Sequence, residues 1–70
     1  MMPLTMAKTG EEIYIKKIGG QPETRKFLEG LGFVCGCMVR VVSDMGGNMI
    51  VQVKESRVAI SKEMANKIMV

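Results

Sequence analysis

Two cysteines separated by one glycine, Cys35-Gly36-Cys37, are the residues whose spacing first points to chemistry. Two thiolates this close can chelate a soft cation such as zinc or copper(I). A closed structural zinc site takes four ligands, however, and the chain contains no histidine. The other ligands would have to be carboxylates, water or a second subunit, so a small metal-binding protein using Cys35 and Cys37 is one reading. The alternative is that both are small apolar loop residues, the commonest role of free cysteine. They are too close for an ordinary bridge and too few for a disulfide framework, which points to a reducing compartment.

The remaining polar residues offer little to a reaction. Without histidine the commonest general base is missing. Glu11 and Glu12 precede a strand, Asp44 sits in a turn and Glu55 at a strand end, and no spacing joins two of them to a nucleophile. Gly30, Gly32 and Gly36 lie at or beyond the end of a helix instead of opening one, and no Gly-Lys-Ser/Thr element comes after them, so they do not form a phosphate cradle. They serve backbone geometry instead. The expectation is a chain with no catalytic residues and no cofactor.

Size supports that expectation. Seventy residues form one small domain, 1–70, which buries only about 60% of its unfolded surface and has no room for a deep enclosed site. Hydrophobic residues make up 47% and charged residues 24%, which excludes disorder. Eight methionines against three aromatic residues mean that flexible side chains fill much of the space. The net charge of +3 is interspersed, and the few aromatics form no stacking platform, so nucleic acid is not an expected partner. The first ten residues lack the basic and apolar regions of a signal peptide. The uncharged, largely apolar stretch 31–39 is too short to cross a bilayer.

These residues must be positioned by short elements. Glu12-Ile13-Tyr14-Ile15-Lys16 alternates as a half-buried strand does, and Ile18 breaks the parity, which requires either a strand end near Lys17 or a bulge. Gly19-Gly20 stops the strand, and Pro22 with Glu23 opens a helix over about 22–31, closed by Gly32. Phe27, Leu28 and Leu31 form its expected apolar face. A loop through Phe33 and Cys37 leads to a strand over 38–44, a turn over 44–48 and a return strand over 49–54. Val39, Val41, Met49, Val51 and Val53 point inward.

A strand over 57–60 follows, with Val58 and Ile60 inward. Ser61 caps a one-turn helix, and residues 67–70 form a closing edge strand. The expected fold is mainly β: a small, partly open antiparallel barrel of about five strands, with one short helix between strands 1 and 2 and a one-turn helix before the last. Closure is favoured over a helix-capped open sheet because so short a chain cannot leave two wide edges free.

The same parity leaves apolar side chains outside. Val42 and Ile50 fall on the outward hairpin face, and Phe33 and Val34 fall in a loop, so these four are expected to form a docking patch for a protein partner. Met38, Met49, Met64 and Met69 are further residues to test for that face.

The chain also resembles a known family. The segments are Ile15-Lys16-Lys17-Ile18-Gly19-Gly20, then Leu28-Glu29-Gly30-Leu31-Gly32-Phe33-Val34-Cys35-Gly36-Cys37-Met38-Val39, then Arg57-Val58-Ala59-Ile60 and the closing Ala65-Asn66-Lys67-Ile68-Met69-Val70. Over nearly its whole length it resembles the FeoA family of ferrous-iron transport accessory proteins, and the same domain resembles the C-terminal module of iron-dependent repressors. The resemblance implies an SH3-like barrel, a cytoplasmic location and no catalysis. It also implies a regulatory or assembly role through contact with the cytosolic, GTP-binding portion of the membrane ferrous iron transporter FeoB, without insertion into the membrane. Cys35-Gly36-Cys37 departs from the family pattern, so the resemblance lends the thiolate site no support.

Overall fold

A computed structural model describes residues 1–70. The elements in chain order are a 3-10 turn (Leu4–Met6), β1 (Glu12–Tyr14), β2 (Lys17–Ile18), α1 (Pro22–Gly30), β3 (Met38–Met45), β4 (Asn48–Val53), β5 (Ser56–Ser61), α2 (Lys62–Ala65) and β6 (Ile68–Met69). Antiparallel pairing gives a four-stranded sheet in the order β1-β3-β4-β5 and a two-stranded sheet of β2 and β6.

The break in parity at Ile18 is where these two sheets meet. The Ile15 amide donates to the Cys37 carbonyl, whereas the next amide, Lys16, donates to Met69. Successive N–H groups of an extended chain point to opposite sides, so a single extended run serves both sheets and divides into two short strands. The expected first strand over 12–17 is therefore two elements, and Ile18 is buried against the core. A strand that changes sheets in this way makes the corner of a small barrel.

Both hairpins follow the alternation of their residues. Val39 and Val41 of β3 lie opposite Val53 and Val51, and Met49 and Val51 of β4 lie opposite Ile60 and Val58. The register shifts between Val41 and Ser43, leaving Val42 as the extra residue of a β-bulge. The core holds fourteen residues and no polar side chain.

Two features were not expected from the sequence. Leu4, in the N-terminal 3-10 turn, is fully buried, and the backbones of Met2 and Val70 exchange two hydrogen bonds of 2.9 and 2.8 Å. The segment before β1 thus pairs with β6 and helps to close the barrel. Phe27 was placed on the buried face of α1 but is 53% exposed. A nine-residue helix has a narrow contact stripe, which Leu28 and Leu31 occupy, and Phe27 lies about 100° around the axis from Leu28.

Candidate docking surface

Alternation turns every second residue of the four-stranded sheet outward. The pairing aligns Glu12, Arg40, Gln52 and Arg57 in a row across all four strands. Beside the row, Tyr14 of β1 lies opposite Met38 of β3. On the other side, Ile50 lies between Ser43 and Ala59. Tyr14 is 61% exposed, Met38 43% and Ile50 37%. The face is a charged strip with apolar flanks, and such a mixture suits reversible contact between proteins.

Within the row, Arg40 donates from Nη2 to Glu12 Oε2 at 2.7 Å. Both side chains remain well exposed, so this bond adds less than about 1 kcal/mol to stability. Arg40 also borders a depression of about 240 Å³, shared with Glu12, Cys37, Met38, Val39, Gln52 and Lys54. Lys54 occupies the first position of the two-residue β4–β5 loop with φ of +56°, in the left-handed region. A bulky residue there is strained, because its Cβ crowds the backbone.

The expected patch does not come together as one surface. Ile50 lies exposed on the sheet face, and Val42 is half-buried at the bulge. Val34 borders a different groove, about 730 Å³, along α1, with Lys17, Ile18, Pro22, Arg25 and Cys35. Phe33 is not on the surface at all: its exposure is 0%.

The end of α1 explains that correction. The Phe33 amide donates to Leu28 at 3.0 Å and the Gly32 amide to Glu29 at 3.0 Å, with Gly32 at φ of +106°. These are the paired bonds of a Schellman motif, which directs the apolar residue after the glycine back onto the helix. The signal was present in the sequence as Leu28, then Gly32, then Phe33. Of the methionines proposed for the same face, Met49 is buried, Met64 packs against the core and Met69 is half-buried in β6, which leaves Met38 exposed.

The cysteines sit on a tight turn in which the Cys37 amide donates to Val34 and Gly36 has φ of +88°. Both thiols are free. Cys35 is exposed beside the α1 groove, whereas Cys37 packs against the core and borders the sheet depression. Nowhere do three or more Cys, Asp or Glu side chains converge as a metal-holding group.

Residues 2–70 match the FeoA domain family. The chain belongs to the FeoA family. A relative from Methanocaldococcus jannaschii, named as a candidate Fe(2+) transport protein A, is 37% identical over 70 residues, all of this chain and 85% of its own. A crystal structure of an iron uptake regulatory protein, a FeoA, superimposes with a TM-score of 0.87 at 28% identity, covering 96% of this chain and 89% of that one. A Stenotrophomonas maltophilia FeoA solved with zinc, described as a procaryotic SH3 domain protein, gives 0.86 at 24% identity, covering 99% and 88%.

The SH3-like fold of this FeoA-family chain thus agrees with the two-sheet architecture, and the family is one of ferrous iron transport. No helix is long and apolar enough to cross a membrane. Sequence reasoning missed Tyr14, Arg40, Gln52 and Lys54 as members of one surface. Their polar-face parity was readable, but their alignment depends on inter-strand register.

Proposed function

We propose that this chain is a non-enzymatic, cytoplasmic accessory protein of ferrous iron uptake that docks on the cytosolic, GTP-binding part of the transporter FeoB. Family membership supports the pathway. The observation that carries docking is the outward sheet face, where Tyr14, Met38 and Ile50 stay exposed in a chain whose other strand hydrophobics are mostly buried. Binding one conformation of the transporter more tightly than another would shift its populations, which requires no chemistry on this chain.

Co-purification of detergent-solubilised FeoB with the tagged chain tests the reading. Met38→Asp combined with Ile50→Asp should abolish recovery, whereas Phe27→Asp, on the exposed side of α1, should not. Full recovery with the double variant, or unchanged iron(II) uptake in cells lacking the chain, would refute it.

A further inference from the structure

β5 is the last strand of the four-stranded sheet, and its outer edge has no strand beside it. Val53 and Ser56 flank the two-residue β4–β5 turn, so this pair exchanges both of its hydrogen bonds. Alternation then turns the amides of Val58 and Ile60 toward β4, and those of Arg57, Ala59 and Ser61 away from it. The Lys62 amide, which donates to Gly47 at 2.9 Å, keeps the same parity. The three outward amides find no backbone acceptor outside the ladder. Nor can β6 close against this edge, because β2 flanks it on one side and Met2 and Pro3 on the other. Edge strands are commonly guarded by proline, a bulge, a lysine or an inward charge. Ser56-Arg57-Val58-Ala59-Ile60-Ser61 has none of these: its pairing with β4 runs without a register shift, and its one charge, Arg57, is exposed.

We propose that the β5 edge pairs antiparallel with β5 of a second copy of this chain, about a two-fold axis through Ala59. Arg57 then lies opposite the partner's Ser61, Val58 opposite the partner's Ile60, and Ala59 opposite the partner's Ala59. The two Ala59 residues exchange N–H and C=O, and each Ser61 amide donates to the carbonyl of the partner's Arg57. Val58, half-buried in one copy, is covered by an apolar side chain of the other.

Electrostatics selects this register. An axis at Arg57 would set the two arginines opposite each other, and one at Val58 would make them diagonal neighbours. The axis at Ala59 separates them by about 13 Å. It also turns Arg57 toward the end of the strand that carries the partner's Glu63, and Arg57 and Glu63 are both exposed and in no ion pair. Pairing over residues 57–61 alone covers less than about 1,200 Å², the range of weak, reversible complexes. The dimer therefore dissociates on dilution. Its axis is perpendicular to the sheet, so the outward faces of both copies lie on one side. Dimerisation needs no transporter and is independent of the docking reading.

Sedimentation velocity of the intact chain, with reductant present to exclude Cys35 disulfides, should show a monomer at micromolar concentration and a reversible dimer toward millimolar. Hydrogen exchange read by NMR should slow with concentration at the Ala59 and Ser61 amides far more than at Val58 and Ile60. Ala59→Pro deletes only an outward N–H, which an edge strand tolerates, and should leave a folded monomer at every concentration. Ala59→Ser keeps the N–H and should dimerise as the wild type does. Arg57→Glu should weaken the dimer roughly tenfold through its two symmetric contacts. Adding Glu63→Arg should restore the affinity, a recovery that a damaged fold cannot imitate. A monomer at all concentrations, undiminished dimerisation of Ala59→Pro, or no recovery in the charge-exchanged variant would overturn the pairing. So would a dimer whose slowed amides are those of Glu12 and Tyr14, since the interface would then lie on the other edge of the sheet.

Discussion

The backbone N–H of Phe33 donates to the carbonyl of Leu28 across the end of α1, and both side chains are completely buried. A residue expected on a docking surface is thus part of the core. Gly32 makes the turn possible, and a Cβ added there would meet Val53 Cγ2 at 3.3 Å.

Phe33→Ala should therefore destabilise the protein by about 3–5 kcal/mol, a large share of the total for a chain of this size. Phe27→Ala, on an exposed part of the same helix, should change stability by less than about 0.5 kcal/mol. Urea melts of the two variants check the contrast, and equal losses would contradict the placement of Phe33.

Leu4 precedes every strand, yet it is as buried as Leu28. Leu4→Ala should cost about 2–5 kcal/mol, and hydrogen exchange should show faster opening at Met2 and Val70, whose backbones pair. A change of less than about 1 kcal/mol in thermal melts would mean that the N-terminal segment contributes little.

Lys54 holds a conformation that suits glycine. Lys54→Gly should raise stability by up to about 1 kcal/mol. Chemical denaturation of the variant reads the gain, and a loss of stability would contradict the strain at this position.

Ser61 Oγ accepts from the Met64 amide at 3.1 Å at the start of α2. Ser61→Ala should cost about 1 kcal/mol, whereas Ser61→Asp, which retains a capping acceptor, should restore most of it. Equal melting temperatures for the wild type and the alanine variant would show that the cap contributes nothing.

Much of the fold was legible along the chain. The inward set Val39, Val41, Met49, Val51, Val53 and Ile60 follows from strict alternation, and the Ser61 cap and Pro22 start follow from local backbone chemistry. The surface was less legible. Ile50 could be assigned to the outer face by parity, but Phe33 and Phe27 exchanged roles because burial in a short helix and its exit depends on where the sheet lies.

The sequence alone determined what local rules decide: which residues alternate, where the helices begin and end, and the absence of any histidine on which catalysis could rest. Its motifs also pointed to the family. Tertiary structure decided what depends on distant segments meeting. Ile15 and Lys16 are adjacent in sequence, but their amides serve different sheets because their partners lie more than twenty and fifty residues away. Glu12, Arg40, Gln52 and Arg57 likewise form one row only through the registers of three strand pairs. A one-residue slip in any pair would turn its side chains to the other face, and the pairing that prevents this is a property of the assembled sheet.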